Sequence, residues 1–136
     1  MLRLRQAGAC TLVAVVVAFW GAGLRAQECC DPDSPFREGE GWADVPATCE
    51  TIARWADRAP QTGDRITMAM QGRLSEVHTD GALAYLIVCD EPGVQVMCVT
   101  YQTNGMAPGD TVLVAGGYGR AGPTQVILDP CLAAAE

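Results

Sequence analysis

Beyond Gly63 the period becomes two in the first of five short runs rich in apolar and β-branched residues, all separated by turn signals, and a chain with that pattern is committed to strands. The first run is RITMAMQGRLSEV, where Ile66, Met68 and Met70 alternate with Thr67, Ala69 and Gln71. Gly72 interrupts it, which in a strand marks a bulge or a sharp bend. HTDGA reads as a turn and leads to LAYLIVC; DEPG follows, with Pro92 and Gly93 suited to the central pair of a type II turn. VQVMCVTY then returns as a hairpin partner. A polar connection, QTNGMAPGD, leads to TVLVAG, a glycine-rich segment and a fifth run, TQVILD.

Within that glycine-rich segment Gly117, Gly119 and Gly122 spell GxGxxG, the spacing of dinucleotide-binding loops. Such a fingerprint must open a helix whose N-terminus faces the pyrophosphate. Here Pro123 and the strand-like TQVILD come next, so no helix is offered. The glycines are expected instead to supply positive backbone dihedrals in a hairpin joining two strands.

Before the strands the pattern differs. Residues 27 to 47 hold Pro32, Pro35 and Pro46 among charged residues without apolar periodicity, so this arm is expected to be irregular. From Thr48 to Arg58 the spacing predicts one short helix, capped by Thr48 and stopped by Pro60. Cys49, Ile52, Ala56 and Ala59 form its apolar stripe, flanked by Trp55, and such a stripe needs a surface to lie on.

The opening MLRLR and the uncharged stretch from Ala7 to Leu24 have the form of a secretory signal, with GAGLRA suggesting cleavage after Ala26. An uncleaved anchor is the competing reading, but the end of the run is rich in Gly and Ala rather than flanked by charge. Glu28, directly before Cys29, does not suit a lipoprotein signal. The expected product is exported, to the periplasm or the extracellular space, with no stable membrane insertion. Of 9 Lys and Arg, Arg3, Arg5 and Arg25 leave with the signal; the remaining 6 arginines against 16 acids give a net charge of 6 − 16, or about −10. A nucleic-acid partner draws its affinity from Lys and Arg, so none is expected. The acidic balance suits the solubility of an exported protein.

Cys10 lies in the signal, leaving Cys29, Cys30, Cys49, Cys89, Cys98 and Cys131. An even count in a small exported chain reads as a disulfide framework, and no CxxC pair or paired Cys and His spacing points to redox or zinc chemistry. Neighbouring Cys29 and Cys30 are poorly placed to bond each other, and Cys89 and Cys98 sit diagonally across a hairpin. The expectation is that at least two of three bridges join the arm or helix to the strands.

The run bent at Gly72 in MQGRLSEV, the pair LAYLIVCDEPGVQVMCV, then PGDTVLVAG and the closing TQVILD resemble the oligonucleotide/oligosaccharide-binding barrel, the OB-fold, and are similar to small exported bacterial OB-fold proteins. The expected fold is all-β: a small five-stranded Greek-key barrel over residues 62–132, after a signal (1–26) and an irregular arm with one short helix (27–61). The resemblance implies ligand binding on the face of its second and third strands and the adjoining loops. That second run, Leu83 to Val88, is apolar on both faces and asks for cover on both, which the helix is expected to supply, leaving Arg73, Gln95 and Tyr101 as a ligand rim.

Other chemistry is weaker. Met68, Met70, Met97 and Met106 with His78 suggest an exported copper site, but core packing suits the alternation better. His78 lacks a nucleophile and orienting acid, and Asp90 and Glu91 sit at a turn, so no enzyme, metal or cofactor is expected. Tyr85, Tyr101 and Tyr118 suit half-buried strand positions as well as stacking. The function expected is an exported, disulfide-stapled binding or interaction module for an envelope protein, a glycan or a small ligand. The alternative is a structural or accessory envelope protein without a small-molecule ligand.

Overall fold

The computed structural model describes residues 30–136; the expected signal and cleavage point, Cys10 and Cys29 lie outside the described residues. Five strands close into a barrel: β2 (Ile66–Thr79), β3 (Ala84–Val88), β4 (Gln95–Thr100), β5 (Thr111–Gly122) and β6 (Gln125–Ala135). Around the barrel the order is β2-β3-β4-β6-β5 and back to β2, with β4 and β6 parallel and every other pair antiparallel. A closed five-stranded Greek-key barrel of this kind is the OB-fold. The arm adds β1 (Phe36–Glu38), three residues along the β2 edge, too short for any periodicity to announce.

The alternation sets the inside. Ile66, Met68, Met70 and Leu74 of β2, Leu86 and Val88 of β3, Val96 and Cys98 of β4, Val112 and Val114 of β5, and Val126 and Leu128 of β6 form one buried cluster. Met68 and Met70 are fully buried core residues, whereas His78 lies on the surface, its Nε2 2.8 Å from Glu76 Oε2. Among the described residues no group of three or more His, Cys, Asp or Glu is placed to hold a metal ion.

Two segments fill the barrel from outside the sheet. Helix α1 (Ile52–Asp57) is shorter than the sequence pattern predicts: its N-cap is Thr51 rather than Thr48 and makes no side-chain cap hydrogen bond, and the Thr48 carbonyl accepts from the amides of both Thr51 and Ile52 in the turn before it. Thr51 Oγ1 in turn accepts from the Thr48 amide at 2.9 Å. Ile52 is fully buried in the barrel cluster and Ala56 nearly so, with Cys49, Trp55 and Ala59 packed against it. The stripe therefore lies where its spacing placed it, but it enters the barrel interior rather than covering the outer face of β3, where Tyr85 and Ile87 stay half-buried. Met106, from the β4–β5 connection, is the second filler.

Three turn assignments change. The strand irregularity lies at Ser75, between the Leu74–Val88 and Glu76–Ile87 pairs, while Gly72 stays in register opposite Val112. Gly72 is small for another reason: a Cβ there would lie 2.8 Å from Cys49 Sγ and 2.8 Å from a Val88 methyl. In DEPG the Glu91–Pro92 peptide is cis and Gly93 lacks the positive φ a type II turn requires; Cys89, at φ 75°, carries the left-handed residue of this stretch. The β2–β3 turn follows expectation: the Asp80 carboxylate accepts from Ala82 and Leu83 amides and the Tyr85 hydroxyl, led by Leu83, and these bonds hold it below the usual carboxylate range.

Nor do the motif glycines make the hairpin. β5 runs through Gly117, Gly119 and Gly122, none of which has positive φ, and the two-residue turn is Pro123–Thr124. Opposite Gly117, residues Asp129 and Pro130 of β6 form a bulge between the Gly116–Cys131 and Tyr118–Leu128 pairs. The β6 backbone comes so close there that a Cβ on Gly117 would lie 2.6 Å from the Asp129 carbonyl oxygen. Close approach, not turn geometry, explains the glycine.

The disulfides also pair differently. Cys49 bonds Cys89, with Cα atoms 5.5 Å apart, and ties the helix segment to the end of β3. Cys98 bonds Cys131 across β4 and β6, with Cα atoms 5.4 Å apart. The three barrel cysteines thus provide one bridge to the arm side and one within the barrel, not the two arm-to-barrel bridges expected. Cys30 is also disulfide-bonded, and the expectation that Cys29 and Cys30 avoid each other falls on a residue outside those described. A parallel β4–β6 ladder brings Cys98 near Cys131, and sequence spacing carries no sign of that pairing.

Tyr118 offers a test of the packing. Its ring meets Phe36 edge-on at 5.1 Å, and its hydroxyl is buried without a hydrogen-bond partner. Burial pushes its phenol pKa up, against a smaller opposing pull from the nearby Arg120 guanidinium, which stands close to the hydroxyl but outside hydrogen-bond geometry. The Arg120 guanidinium is occupied by the Gly122 and Pro123 carbonyls and by Asp57. Tyr118→Phe is therefore expected to keep or raise stability, by up to about 1 kcal/mol, because an unpartnered buried hydroxyl costs more than it returns. A drop in the urea midpoint would contradict this.

Candidate functional site

The arm is held firmly enough to form a wall. Arg37 donates to the carbonyls of Asp31, Pro32, Ser34 and Phe36, folding residues 31–37 around its guanidinium. Further along, Thr67 Oγ1 donates to the Gly41 carbonyl at 2.6 Å, and the Ala47 amide and carbonyl bond to Ala69 and Gln71 of β2. Ala43 is buried against Ala69 and Ala115, a small apolar contact that seats the arm across β2 and β5.

Beside that contact a cleft of about 280 Å³ opens. Glu40, Gly41 and Trp42 of the arm form one side; Thr100 and Tyr101, at the end of β4, and Pro130 to Leu132 of β6 contribute the rest, with Thr67, Ala115, Gly116 and Gly117 between them. Glycines and alanine in β5 leave the room, since larger side chains there would fill it. The described chain exposes four large hydrophobic residues, and three of them line this cleft: Trp42 at 45%, Leu132 at 63% and Tyr101 at 77%. The fourth, Val45, is on the same arm. Such a concentration marks an interaction site more than isolated exposed residues do.

The site has one cation. Arg65 lies over β5, close enough that a Cβ on Gly117 would meet its Nη2 at 3.0 Å. Its ionic partner is Glu40, at 3.8 Å, a surface pair of little net worth. The cleft thus combines apolar and aromatic walls, a floor of small residues and a loosely paired guanidinium. That inventory can hold an apolar side chain or ring and orient polar groups at its edge. It contains no nucleophile paired with a base.

The three rim residues read from the sequence do not meet. Tyr101 lines this cleft. Arg73 lines a separate hollow of about 380 Å³ with Thr48, Cys49, Glu50, Gln71, Gly72, Asp90 and Thr111. Gln95 is turned to its own hairpin, its Nε2 donating to the Cys89 carbonyl at 3.1 Å. Trp42, Arg65 and Leu132 went unnoticed in the sequence. For Trp42 a signal existed, a large aromatic in a segment without periodicity. Leu132 had none: strict alternation from Val126 and Leu128 would point it inward, and the bulge at Asp129–Pro130 turns Cys131 in and Leu132 out.

No protein-family model matches this chain, and no curated protein matches it. A solved structure, the S. pombe Stn1-ten1 complex, contains a chain similar to it at 18% identity, with a TM-score of 0.37. The match covers 52% of this chain and 58% of that one.

Proposed function

We propose that this protein is an exported, disulfide-stapled OB-fold binding module whose ligand site is the cleft between the arm and the barrel. The observation that carries the reading is the gathering of Trp42, Tyr101 and Leu132, three of the four exposed large hydrophobics of the described chain, around one hollow. Export rests on the signal-like leader, and the Cys49–Cys89 and Cys98–Cys131 bridges suit an oxidising compartment. Against the accessory reading stands the concentration of these residues at one hollow rather than their scatter over the surface. Nucleic acid is not the expected ligand, since 6 arginines face 16 acids once the leader is removed from the 9 basic residues. Micromolar binding of labelled single-stranded DNA at physiological salt would overturn that exclusion.

Site-directed photocrosslinking tests the reading. A benzophenone side chain at position 101, in the full chain expressed in its own host, is expected to yield a discrete adduct, and the same group at Gln95 is not. Absence of an adduct at positions 42, 101 and 132 favours the accessory reading and overturns this one.

A further inference from the structure

The backbone beside the cleft points to its occupant, on the premise that the cleft is a binding site. The parallel β4–β6 ladder ends at the Cys98–Leu128 pair, yet β6 runs on to Ala135, paired from Cys131 onward with β5 alone. One edge of that stretch is therefore open. Antiparallel pairs alternate between those that exchange hydrogen bonds and those that do not, and the Glu136 amide donates to the Thr111 carbonyl at 3.0 Å, so Ala134 and Leu132 also face β5. Ala133 and Ala135 turn their amides and carbonyls the other way, where no strand stands among the described residues. We propose that an extended segment of a partner protein adds to the sheet along this edge and seats one large apolar side chain in the cleft.

Edge and cleft are continuous. Thr100 and Tyr101, at the end of β4, and Pro130 to Leu132 of β6 line the same hollow, so it opens where the two strands part. A strand laid against Ala133 and Ala135 runs beside Leu132, and its outward side chains, alternating along it, reach the hollow of about 280 Å³. An open edge invites such pairing unless charge, proline or a bulge blocks it. From Cys131 to Ala135 the sequence CLAAA has no charge and no proline, and the bulge at Asp129–Pro130 precedes it. Open stretches elsewhere are charged: Glu76 and His78 stand in the part of β2 that leaves β5, and Arg120, held by Asp57, near the end of β5. A second copy is the poorer occupant. Its own edge would bring only Leu132 and alanine to the outer face, and Leu132 already belongs to the cleft wall. The partner must therefore supply the large side chain, and its main chain supplies the hydrogen bonds.

Amide hydrogen exchange and fluorescence anisotropy, on the protein purified from its own host, test this. In the free protein the Ala133 and Ala135 amides are expected to exchange far faster than those of Leu132 and Ala134; equal protection would show the edge closed and overturn the proposal. The binding probe is a labelled peptide of alternating Thr and Val with a central Phe, compared with versions N-methylated on either alternate set of amides and with one carrying Ala for Phe. The parent peptide is expected to bind and to slow exchange at Ala133 and Ala135. Methylation of one set should weaken binding about tenfold or more and methylation of the other leave it unchanged, because only one edge of the peptide meets β6. Ala for Phe in the peptide, and Leu132→Ala or Trp42→Ala in the protein, are each expected to weaken binding about tenfold. Both protein positions are exposed, so unchanged thermal unfolding of the variants confirms that folding is intact. Binding by none of the peptides, equal effects of the two methylations, indifference to the loss of Phe, or self-association along this edge in sedimentation overturns the proposal. An adduct at position 101 together with any of these leaves the binding module standing and removes only this choice of occupant. Loss of both removes the module as well.

Discussion

Gly116→Ala is expected to destabilise the protein by about 3 kcal/mol or more, the upper range for overpacking a site that cannot yield. A Cβ on Gly116 would sit 2.3 Å from the Pro130 carbonyl oxygen and 2.9 Å from the Cys131 Cα. Both obstacles are backbone, and both belong to the strand paired with Gly116, so relief requires β6 to leave its register. A flexible side chain swings aside; a paired strand cannot. Gly117→Ala meets the Asp129 carbonyl oxygen at 2.6 Å and should also be costly. Gly119→Ala is the control, because its nearest neighbour is the Ile127 carbonyl oxygen at 3.9 Å, ordinary contact, and its effect should stay within about 0.5 kcal/mol. Urea denaturation of the three variants decides the matter. Equal losses at Gly116 and Gly119 would show that the segment acts as flexible glycine rather than as a close strand contact.

Removing the Cys98–Cys131 bridge by a double alanine substitution is expected to cost about 4 kcal/mol, the chain-entropy value for a loop of its length. Its sequence separation is 33 residues. In a domain of this size such a loss corresponds to a melting temperature lower by about 20 °C. The position of the bridge makes it matter: the β4–β6 register ends at the Cys98–Leu128 pair, and the disulfide clamps the strands where their ladder stops. Alanine leaves no new buried polar group at these positions, which are 0% and 4% exposed. Cys131 also lines the cleft, so the bridge holds one of its walls as well as the strand end. A fall in melting temperature below about 5 °C in the scan would mean that the parallel ladder holds without its clamp.

The alternation of Ile66, Met68 and Met70 was enough to establish a strand and its inward face, because side-chain direction in a strand depends only on local backbone geometry, and the four later apolar runs between turn signals established the other strands and their sequence order. The stripe of Cys49, Ile52, Ala56 and Ala59 was legible for the same reason in a helix, and the absence of a helix after Gly122 excluded a dinucleotide loop. What local periodicity does not carry is which strands become neighbours and where one slips against another. Parallel pairing of β4 with β6 put Cys98 beside Cys131, and the crossing of the helix segment over Gly72 put Cys49 beside Cys89. The two-residue bulge at Asp129–Pro130 reversed the parity of β6 and exposed Leu132, and the seating of Ala43 on Ala69 and Ala115 brought Trp42 to the same hollow. Each of these is a contact between residues distant in sequence, settled by how backbones approach and pack. The barrel was therefore readable from the order of the residues, and the cleft existed only once the barrel had closed and the arm had been laid against it.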